Sequence, residues 1–448
     1  MEELNKWLLD RERENMEELE RIQATNSQAA AMVAQYQLSD APRGRGSRPG
    51  RAPNVERHRE VRGHFLLKDY FVERPVYDEV GFRRLYRMQK HVFQRIMEDL
   101  CNFDSFWGQK ADATGKMGLL PEQKMTGALR MLAYGAAADQ CDEITRMGAS
   151  TALECLKKFC RQVEFLYGGW FLRPLNPADL YRLLNRGQRR GFPGMIESID
   201  CMHWEWKNCP TGWAGAFSGR KGRPTIILEA VASYDTRIWH AFFGTPGAQN
   251  DLNVLGASNV FERVIGGTAP LVEFEVNNKR YTNGYYLADG IYLRWSTFVK
   301  TISNPRTEEE KHFCKKQEAY RKDVERCFGI LQSRWAILRH GARLFKLEDL
   351  RAIMISCIIL HNMIVDDEFV EEEFVESQEA DLMNPAMATV YDRPVHPYIG
   401  APIPFEPVGR DGQNLPAFMD REFQVESAYL HKCLQDDLVM HNWNMDGN

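Results

Sequence analysis

The chain has 448 residues, of which 44% are hydrophobic and 27% charged, and its formal net charge is −5. This length exceeds one comfortable hydrophobic core, so we expect two folded units with tails, and the acidic balance argues against a uniformly basic nucleic-acid binder. We find no uncharged apolar run of about 18 residues and no apolar signal core in MEELNKWLLDRERENMEE, so we expect an intracellular protein with no membrane partner.

The cysteines are scattered without a Cys-x-x-Cys pair. Cys155 and Cys357 fall in helical apolar patterns, where a free thiol packs as a small hydrophobe. Cys201, His203 and Cys209 in CMHWEWKNC are the most metal-like cluster, but a second pair at zinc-finger spacing is missing. We therefore predict that the cysteines are reduced and that Cys201, His203 and Cys209 do not bind zinc.

Positive charge concentrates near the N-terminus. Residues 1–40 are helix-prone, and the stretch PRGRGSRPGRAPNVERHREVRGH that follows carries many arginines and little apolar surface. Such a segment cannot offset the entropy of ordering, so residues 1–64 are predicted to be a helix-prone segment and then a disordered basic arm. A solvated linker, a nuclear-import signal and an arginine arm in the DNA minor groove all remain open.

Residues 65–190 are predicted to form an all-α, helix-turn-helix-like DNA-binding domain. Pro121 opens the helical pattern LPEQKMTGALRMLAYG, and AAADQCDEITRMG and ASTALECLKKFCRQVEFLY follow as a short and a longer helix. Any helical bundle contains such joints, so this signal alone is weak. Lys157, Lys158 and Arg161 on the third helix are the predicted phosphate contacts.

A β-rich pattern begins near residue 191. MIESIDCMHWEW, TIILEAVASYD and IWHAFFGTPG predict an antiparallel meander, DLNVLGASNVFERVI predicts a helix, and NGYYLADGIY predicts a strand that ends near Asp289. A long helix follows, and its apolar side chains recur at helical spacing and predict a buried stripe of Phe313, Tyr320, Val324, Phe328, Leu331 and Trp335. Residues 191–365 are therefore predicted to form an α/β unit. Residues 366–448 are predicted to be an acidic linker, DDEFVEEEFVESQEAD, and a closing helix.

Glu325 lies in the long helix, between Arg321 and Arg326. The ordinary interpretation is a solvated carboxylate in an i,i+4 ion pair. However, Asp200 in the first strand and Asp289 at the end of the fourth could converge with Glu325, and three carboxylates are the hard oxygen ligands that two Mg²⁺ ions require. The sequence pattern alone does not decide between a solvated ion pair and a metal ligand.

Two neighbouring features allow two interpretations each. Asp251 in PGAQND could be a helix N-cap, or it could support or replace an acid at the metal centre. Arg220, Lys221 and Arg223 in SGRKGRP could form a solvated turn, although their position beside the candidate acidic site favours phosphate contact.

A set of motifs in a fixed order resembles the PIF/Harbinger superfamily of DDE transposases, specifically its plant Pong-like branch. The motifs are SIDCMHW, GRPTIILEAVASYD, FFGTPGAQNDLNVL, YYLADGIY, RKDVERCFGILQSRW and IILHNMIVDDE. The resemblance implies an α/β RNase H-like nuclease core, a mixed sheet flanked by helices, with the acidic triad on Asp200, Asp289 and Glu325. It also implies two bound metal ions, Mg²⁺ or Mn²⁺.

The resemblance further implies a nuclear transposase that cleaves double-stranded DNA at terminal inverted repeats and joins the 3′ ends to an AT-rich target. A Myb-like DNA-binding partner protein is expected, and holding two DNA ends requires a homodimer or larger assembly. The main alternative is a domesticated chromatin or DNA-binding protein that does not cut. An unrelated two-carboxylate hydrolase, such as a glycosidase, would leave the helix-turn-helix pattern and the basic arm unexplained.

Overall fold

The structure is a computed structural model that describes residues 55–112, 115–219, 222–368, 388–391 and 415–446. Several predictions fall outside the described residues: the N-terminal arm up to residue 54, the acidic linker beyond residue 368, and the hairpin residues Arg220 and Lys221. Within the described ranges, no helix combines the length and apolar composition that a membrane crossing requires.

In the described residues before the large sheet, the chain forms a series of helices, as predicted. They are α1 (Arg59–Tyr70), α2 (Glu79–Tyr86), α3 (Lys90–Phe103), α4 (Pro121–Tyr134), α5 (Gln140–Thr145), α6 (Ala149–Phe171) and α7 (Pro177–Arg189). Helix α4 is buried along nearly its whole length and contacts α1, α2, α3, α5 and α6. The predicted succession of helix, short helix and long helix is confirmed in α4, α5 and α6.

Helix α1 corrects the predicted boundary of the disordered arm. Residues 59–64, predicted as disordered, form the first half of this helix. Leu66 and Tyr70 anchor it in the core, and Arg62 donates from Nε to the carbonyl of Ile144 at 2.9 Å. The arginines that made the segment look solvated instead hold it against α5.

A five-stranded mixed sheet follows, with the order β3-β2-β1-β6-β7. Its strands are β1 (Met195–Glu205), β2 (Thr225–Ala232), β3 (Ile238–Pro246), β6 (Tyr285–Ala288) and β7 (Phe298–Lys300). Strands β1, β2 and β3 form the predicted antiparallel meander, whereas β6 runs parallel to both β1 and β7. The order of β-meander, helices and further strands is the predicted α/β order.

A second, three-stranded sheet has the order β5-β4-β8 and was not predicted from the sequence. Its strands are β4 (Leu271–Val276), β5 (Lys279–Tyr281) and β8 (Ala388–Tyr391). Strand β8 pairs with β4 from more than a hundred residues away in the chain. A strand of four residues is too short for a reliable alternating pattern. Its pairing also depends on a strand far away in the sequence, which a local pattern does not reveal.

Helices cover both faces of the large sheet. They are α8 (Ala214–Phe217), α9 (Asp251–Ala257), α10 (Glu262–Ile265), α11 (Glu308–Arg334), α12 (Leu347–Asp367), α13 (Leu415–Glu426) and α14 (Ala428–Met445). The predicted closing helix is α14. Helix α11 buries the predicted stripe of Phe313, Val324, Phe328 and Leu331.

One continuous apolar core joins the helical region to the sheet. Helix α12 packs on both α6 and β3, so its buried residues belong to both layers. Asn362 fastens this joint: its Nδ2 donates to the carbonyls of Phe171 and Ile238, and its Oδ1 accepts from the Ile238 amide. All ten cysteines are unpaired in the structure.

Candidate active site

Asp200 and Asp289 lie at the ends of neighbouring parallel strands. Ser198 in β1 is opposite Leu287 in β6, so the same register, continued by two residues, places Asp200 opposite Asp289. Adjacent strands lie about 4.8 Å apart, which keeps the two residues close. Asp200 accepts a hydrogen bond from the Cys201 amide at 2.8 Å, whereas Asp289 is exposed.

Helix α11 is docked across these strand ends by buried polar contacts. The Ser198 hydroxyl donates to the carbonyl of Tyr320 at 3.1 Å. Gln317 donates from Nε2 to the carbonyls of Ala288 at 3.1 Å and Val299 at 3.0 Å, thereby tying the helix to β6 and β7. These contacts determine which turn of α11 lies over Asp200.

The turn over Asp200 carries Arg321 and Glu325. Arg321 Nη1 lies 2.9 Å from Glu325 Oε1 and 4.0 Å from Asp200 Oδ2. The Glu325 side chain is 44% exposed and the Asp200 side chain 19%. The i,i+4 ion pair of the ordinary interpretation therefore exists, but its arginine also faces Asp200, so both predicted acids share one cation.

Negative charge accumulates around Asp200. Burial raises the pKa of Asp200 to about 6; the charges of Asp251 and Glu325 raise it further, while the Cys201 amide and Arg321 lower it. Burial likewise raises the pKa of Asp251, and the charge of Asp289 adds to this effect while the Cys201 thiol opposes it. Four carboxylates thus interact at this end of the sheet, a situation that a bound cation would relieve.

Of the two interpretations of Asp251, the helix N-cap is wrong. Asn250 occupies the cap position of α9, and its side chain accepts from the Asn253 amide at 2.9 Å. Asp251 is the first helical residue, so its carboxylate is available to the Cys201 thiol and to the acidic cluster. Its position fits the second interpretation, in which the carboxylate lies beside the other candidate acids.

The donor set suits a hard cation in chemical type, because it consists of carboxylate oxygens. Among the described residues, however, no group of three or more histidine, cysteine, aspartate or glutamate side chains is arranged to hold a metal ion. Arg321 pairs with Glu325 and approaches Asp200 in this arrangement. Coordination by both acids therefore requires Glu325 to turn away from Arg321.

The cations predicted to contact DNA on α6 form internal ion pairs. Lys157 and Arg161 lie 2.7 Å and 2.6 Å from the two carboxylate oxygens of Asp349, whose side chain is 2% exposed. Lys158 lies 3.0 Å from Asp104. These pairs join α6 to α12 and to the end of α3 and reduce the charge available to phosphate, so DNA contact here stays a prediction.

Within the predicted hairpin, Arg223 is described. Its side chain is 72% exposed and lies 3.8 Å from Glu205, the last residue of β1. An exposed, weakly paired arginine next to the end of β1 is compatible with phosphate contact. Its role in binding DNA stays a prediction.

Sequence reasoning missed a buried polar cluster under Asp251. Glu229 accepts from the Ser258 hydroxyl, and His240 Nε2 lies 3.2 Å from both of them. Ser258 caps the C-terminal end of α9, so this cluster holds the helix that carries Asp251. The sequence did contain a sign of this cluster, because Glu229 is a charged residue in the otherwise apolar strand TIILEAVA.

The chain is similar to a family of transposon proteins and to two named relatives. Residues 170–372 match the family described as plant transposon protein, and residues 63–101 match a domain of unknown function, DUF8418. The Bos taurus protein named "Putative nuclease HARBI1" is 20% identical over 246 residues, covering 54% of this chain and 67% of that protein. The Arabidopsis thaliana "Protein ALP1-like" is 24% identical over 311 residues, covering 64% and 71%. No solved structure matches the chain.

Proposed function

This chain is a transposase-like protein of the Harbinger superfamily, and from that premise we propose that it is a metal-dependent DDE transposase. It would cleave double-stranded DNA at terminal inverted repeats and join the freed 3′ ends to an AT-rich target. The observation that carries the proposal is the parallel register of β1 and β6, which brings Asp200 and Asp289 to neighbouring strand ends, with the Glu325 helix docked over these strands. The mixed sheet with helices on both faces is compatible with an RNase H-like core.

The residues that would hold the metal are Asp200, Asp289 and Glu325. When bound, two Mg²⁺ or Mn²⁺ ions would activate a water, and later the 3′-hydroxyl, as the nucleophile and would stabilise the leaving oxygen. The chain itself contributes position: Gln317 and the Ser198 hydroxyl keep α11 in register with β1 and β6. These contacts support a geometry in which the third acid reaches the two strand ends.

Asp251 and Arg321 have supporting roles in this proposal. The Asp251 carboxylate adds a fourth negative charge beside Asp200 and increases the attraction for a divalent cation. Arg321 offsets part of that charge while no divalent cation is bound, because it contacts Glu325 and faces Asp200. Neither residue is required as a proton donor or acceptor.

The partners of this activity follow from its chemistry. Double-stranded DNA is the substrate, and two DNA ends must be held together, so we include a homodimer or a larger assembly. A Myb-like DNA-binding protein would supply part of the sequence specificity, and the site of action would be the nucleus. The internal ion pairs of Lys157, Lys158 and Arg161 support the need for a partner, because they reduce the basic surface on α6.

One observation favours a second candidate function. Arg321 pairs with Glu325 and approaches Asp200, so it balances part of the charge of both acids without a metal ion. A DNA-binding protein that has lost nuclease activity could keep this arrangement unchanged. Such a domesticated protein would bind DNA with equal affinity whether or not the acids are intact, and it would leave the DNA uncut.

The two candidates are separated by cleavage of DNA that carries the inverted repeats flanking the gene. The wild type, Asp200→Asn and Asp289→Asn are incubated with Mg²⁺ or Mn²⁺, with and without a chelator, while DNA binding is measured in parallel. The transposase proposal expects metal-dependent strand cleavage by the wild type alone and similar binding by all three. Binding without cleavage by the wild type, in the presence of a Myb-like partner, would favour the domesticated protein.

A further inference from the structure

A short loop extends the catalytic strand beyond Glu205. The amide of Ala342 donates to the carbonyl of Glu205 at 2.7 Å, and the amide of Lys207 donates to the carbonyl of Ala342 at 2.9 Å. Trp206 and Ala342 form a parallel bridge between the two segments. Residues 339–344, which connect α11 to α12, are therefore fastened to the chain that leaves β1.

Two buried tryptophans hold this loop from below. Trp204 donates from Nε1 to the carbonyl of His340 at 2.9 Å, and Trp206 donates from Nε1 to the carbonyl of Leu344 at 2.8 Å. Both indoles belong to the apolar core. Gly341 leaves room for Lys207, because a Cβ at this glycine would lie 2.6 Å from Lys207 Cγ. The backbone is anchored, so the side chains of the loop are presented from a rigid support.

Several exposed side chains of these two segments carry positive charge. Lys207, Arg339 and Arg343 are exposed, and Arg223 stands beside them because Trp206 donates its amide to the carbonyl of Pro224 at 2.8 Å. We call these four residues the basic ridge. Within the part of the chain that the structure describes, Lys207, Arg339 and Arg343 have no ion-pair partner, in contrast to the paired cations of α6.

The basic ridge lies in line with the acidic site along β1. Seven residues separate Asp200 from Lys207, which corresponds to roughly 23 Å at about 3.3 Å per residue of extended chain. This distance equals roughly seven base pairs of duplex at about 3.4 Å per step. A duplex that passes over the acids and follows β1 would reach the ridge within one helical turn.

We propose that the basic ridge binds the phosphate backbone of the DNA duplex whose strand is presented to the acidic site. The inference rests on the proposed function, because it names the surface that holds the same substrate. Arginines suit this role, since their planar guanidinium groups donate two hydrogen bonds to a phosphate. Such contacts orient the duplex and carry no sequence information, which leaves sequence recognition to other elements or to a partner.

The test compares two double variants of the full chain. Arg339→Gln with Arg343→Gln removes two ridge charges, and Arg306→Gln with Lys315→Gln removes two exposed charges near the other end of α11, roughly 40 Å away along the helix. Binding to a terminal-repeat duplex is measured over a range of salt concentrations in a chelator, so that cleavage does not interfere. Thermal unfolding of each variant confirms the fold.

The ridge variant is expected to flatten the dependence of log affinity on log salt by about 1.8, since each lost phosphate contact reduces the slope by about 0.9. The control variant is expected to keep the wild-type slope, and Arg339→Lys with Arg343→Lys is expected to restore most of it. An unchanged slope in the ridge variant would overturn the proposal, as would an equal change in the control. A preference of the ridge for single-stranded RNA or for an acidic protein over the duplex would also overturn it.

The experiments distinguish the proposed DNA contact of the basic ridge from the proposed transposase activity. Metal-dependent cleavage by the wild type together with an unchanged salt slope in the ridge variant would overturn the ridge and leave the transposase activity in place. A flattened slope in the absence of any cleavage would support the ridge and refute the nuclease.

Discussion

Replacing Glu325 by glutamine separates the two interpretations of this carboxylate. Glutamine keeps the shape of the side chain and removes its charge, so the ion pair with Arg321 at 2.9 Å is lost. Because the Glu325 side chain is 44% exposed, that pair is screened by solvent. Exposed i,i+4 pairs contribute about 0.3–0.5 kcal/mol, so the free energy of unfolding should change by only about that amount.

The effect on cleavage should be far larger. A metal ligand contributes to transition-state charge stabilisation on the order of several kcal/mol. A loss of about 3 to 5 kcal/mol corresponds to about a hundred-fold to several-thousand-fold in rate, at about 1.4 kcal/mol per factor of ten. DNA affinity without metal should stay close to that of the wild type, because Glu325 is an acid and makes no favourable phosphate contact.

The assay measures Mg²⁺- or Mn²⁺-dependent cleavage of terminal-repeat DNA by the wild type and Glu325→Gln, with unfolding and DNA binding followed in parallel. Glu318→Gln is the matched control, because Glu318 is an exposed glutamate on the same helix, about two turns earlier. Near wild-type cleavage by Glu325→Gln would refute the triad assignment and return Glu325 to an exposed helix charge. A similar loss in the control would trace the effect to the helix as a whole.

Further predictions concern the acidic site, the joint between layers and helix α6. The pKa of Asp200 is about 6 in the folded chain against an ordinary value of 3.8, so the native state keeps this proton longer and wild-type stability falls as pH rises from about 4 to about 6. Without metal, Asp200→Asn should therefore be more stable than the wild type above pH 6, by about 2 to 3 kcal/mol, and equally stable near pH 4. The free energy of urea unfolding is measured for both proteins across this pH range, and a constant difference between them would contradict the prediction. Asn362→Leu should cost about 3 kcal/mol or more in urea unfolding, because it leaves several buried backbone groups of Ile238 and α6 unpaired, and a loss below about 1 kcal/mol would show that they find other partners. Neutralising Lys157 and Lys158 together should weaken DNA binding and flatten its salt slope by roughly one per lost phosphate contact. An unchanged slope with lower stability would assign both lysines to their internal ion pairs alone.

Local sequence patterns predicted most of the long helices, the three-stranded meander and the candidate acids, but they missed the second sheet. Apolar periodicity located the long helix and its buried stripe, alternation located the meander, and the spacing of Asp200, Asp289 and Glu325 within family-like motifs marked the candidate site. These features are readable because helix and strand patterns depend on residues only a few positions apart.

Which of these surfaces meet depends on contacts between distant parts of the chain. The parallel pairing of β6 with β1 placed Asp289 opposite Asp200, and the docking of α11 turned Arg321 toward both acids. The same long-range packing paired Lys157 with Asp349, nearly two hundred residues away, and exposed the basic ridge instead. Burial of apolar surface selects these contacts across the whole chain, so a charge pattern within one helix cannot reveal which cations will be neutralised and which will remain free to bind a phosphate.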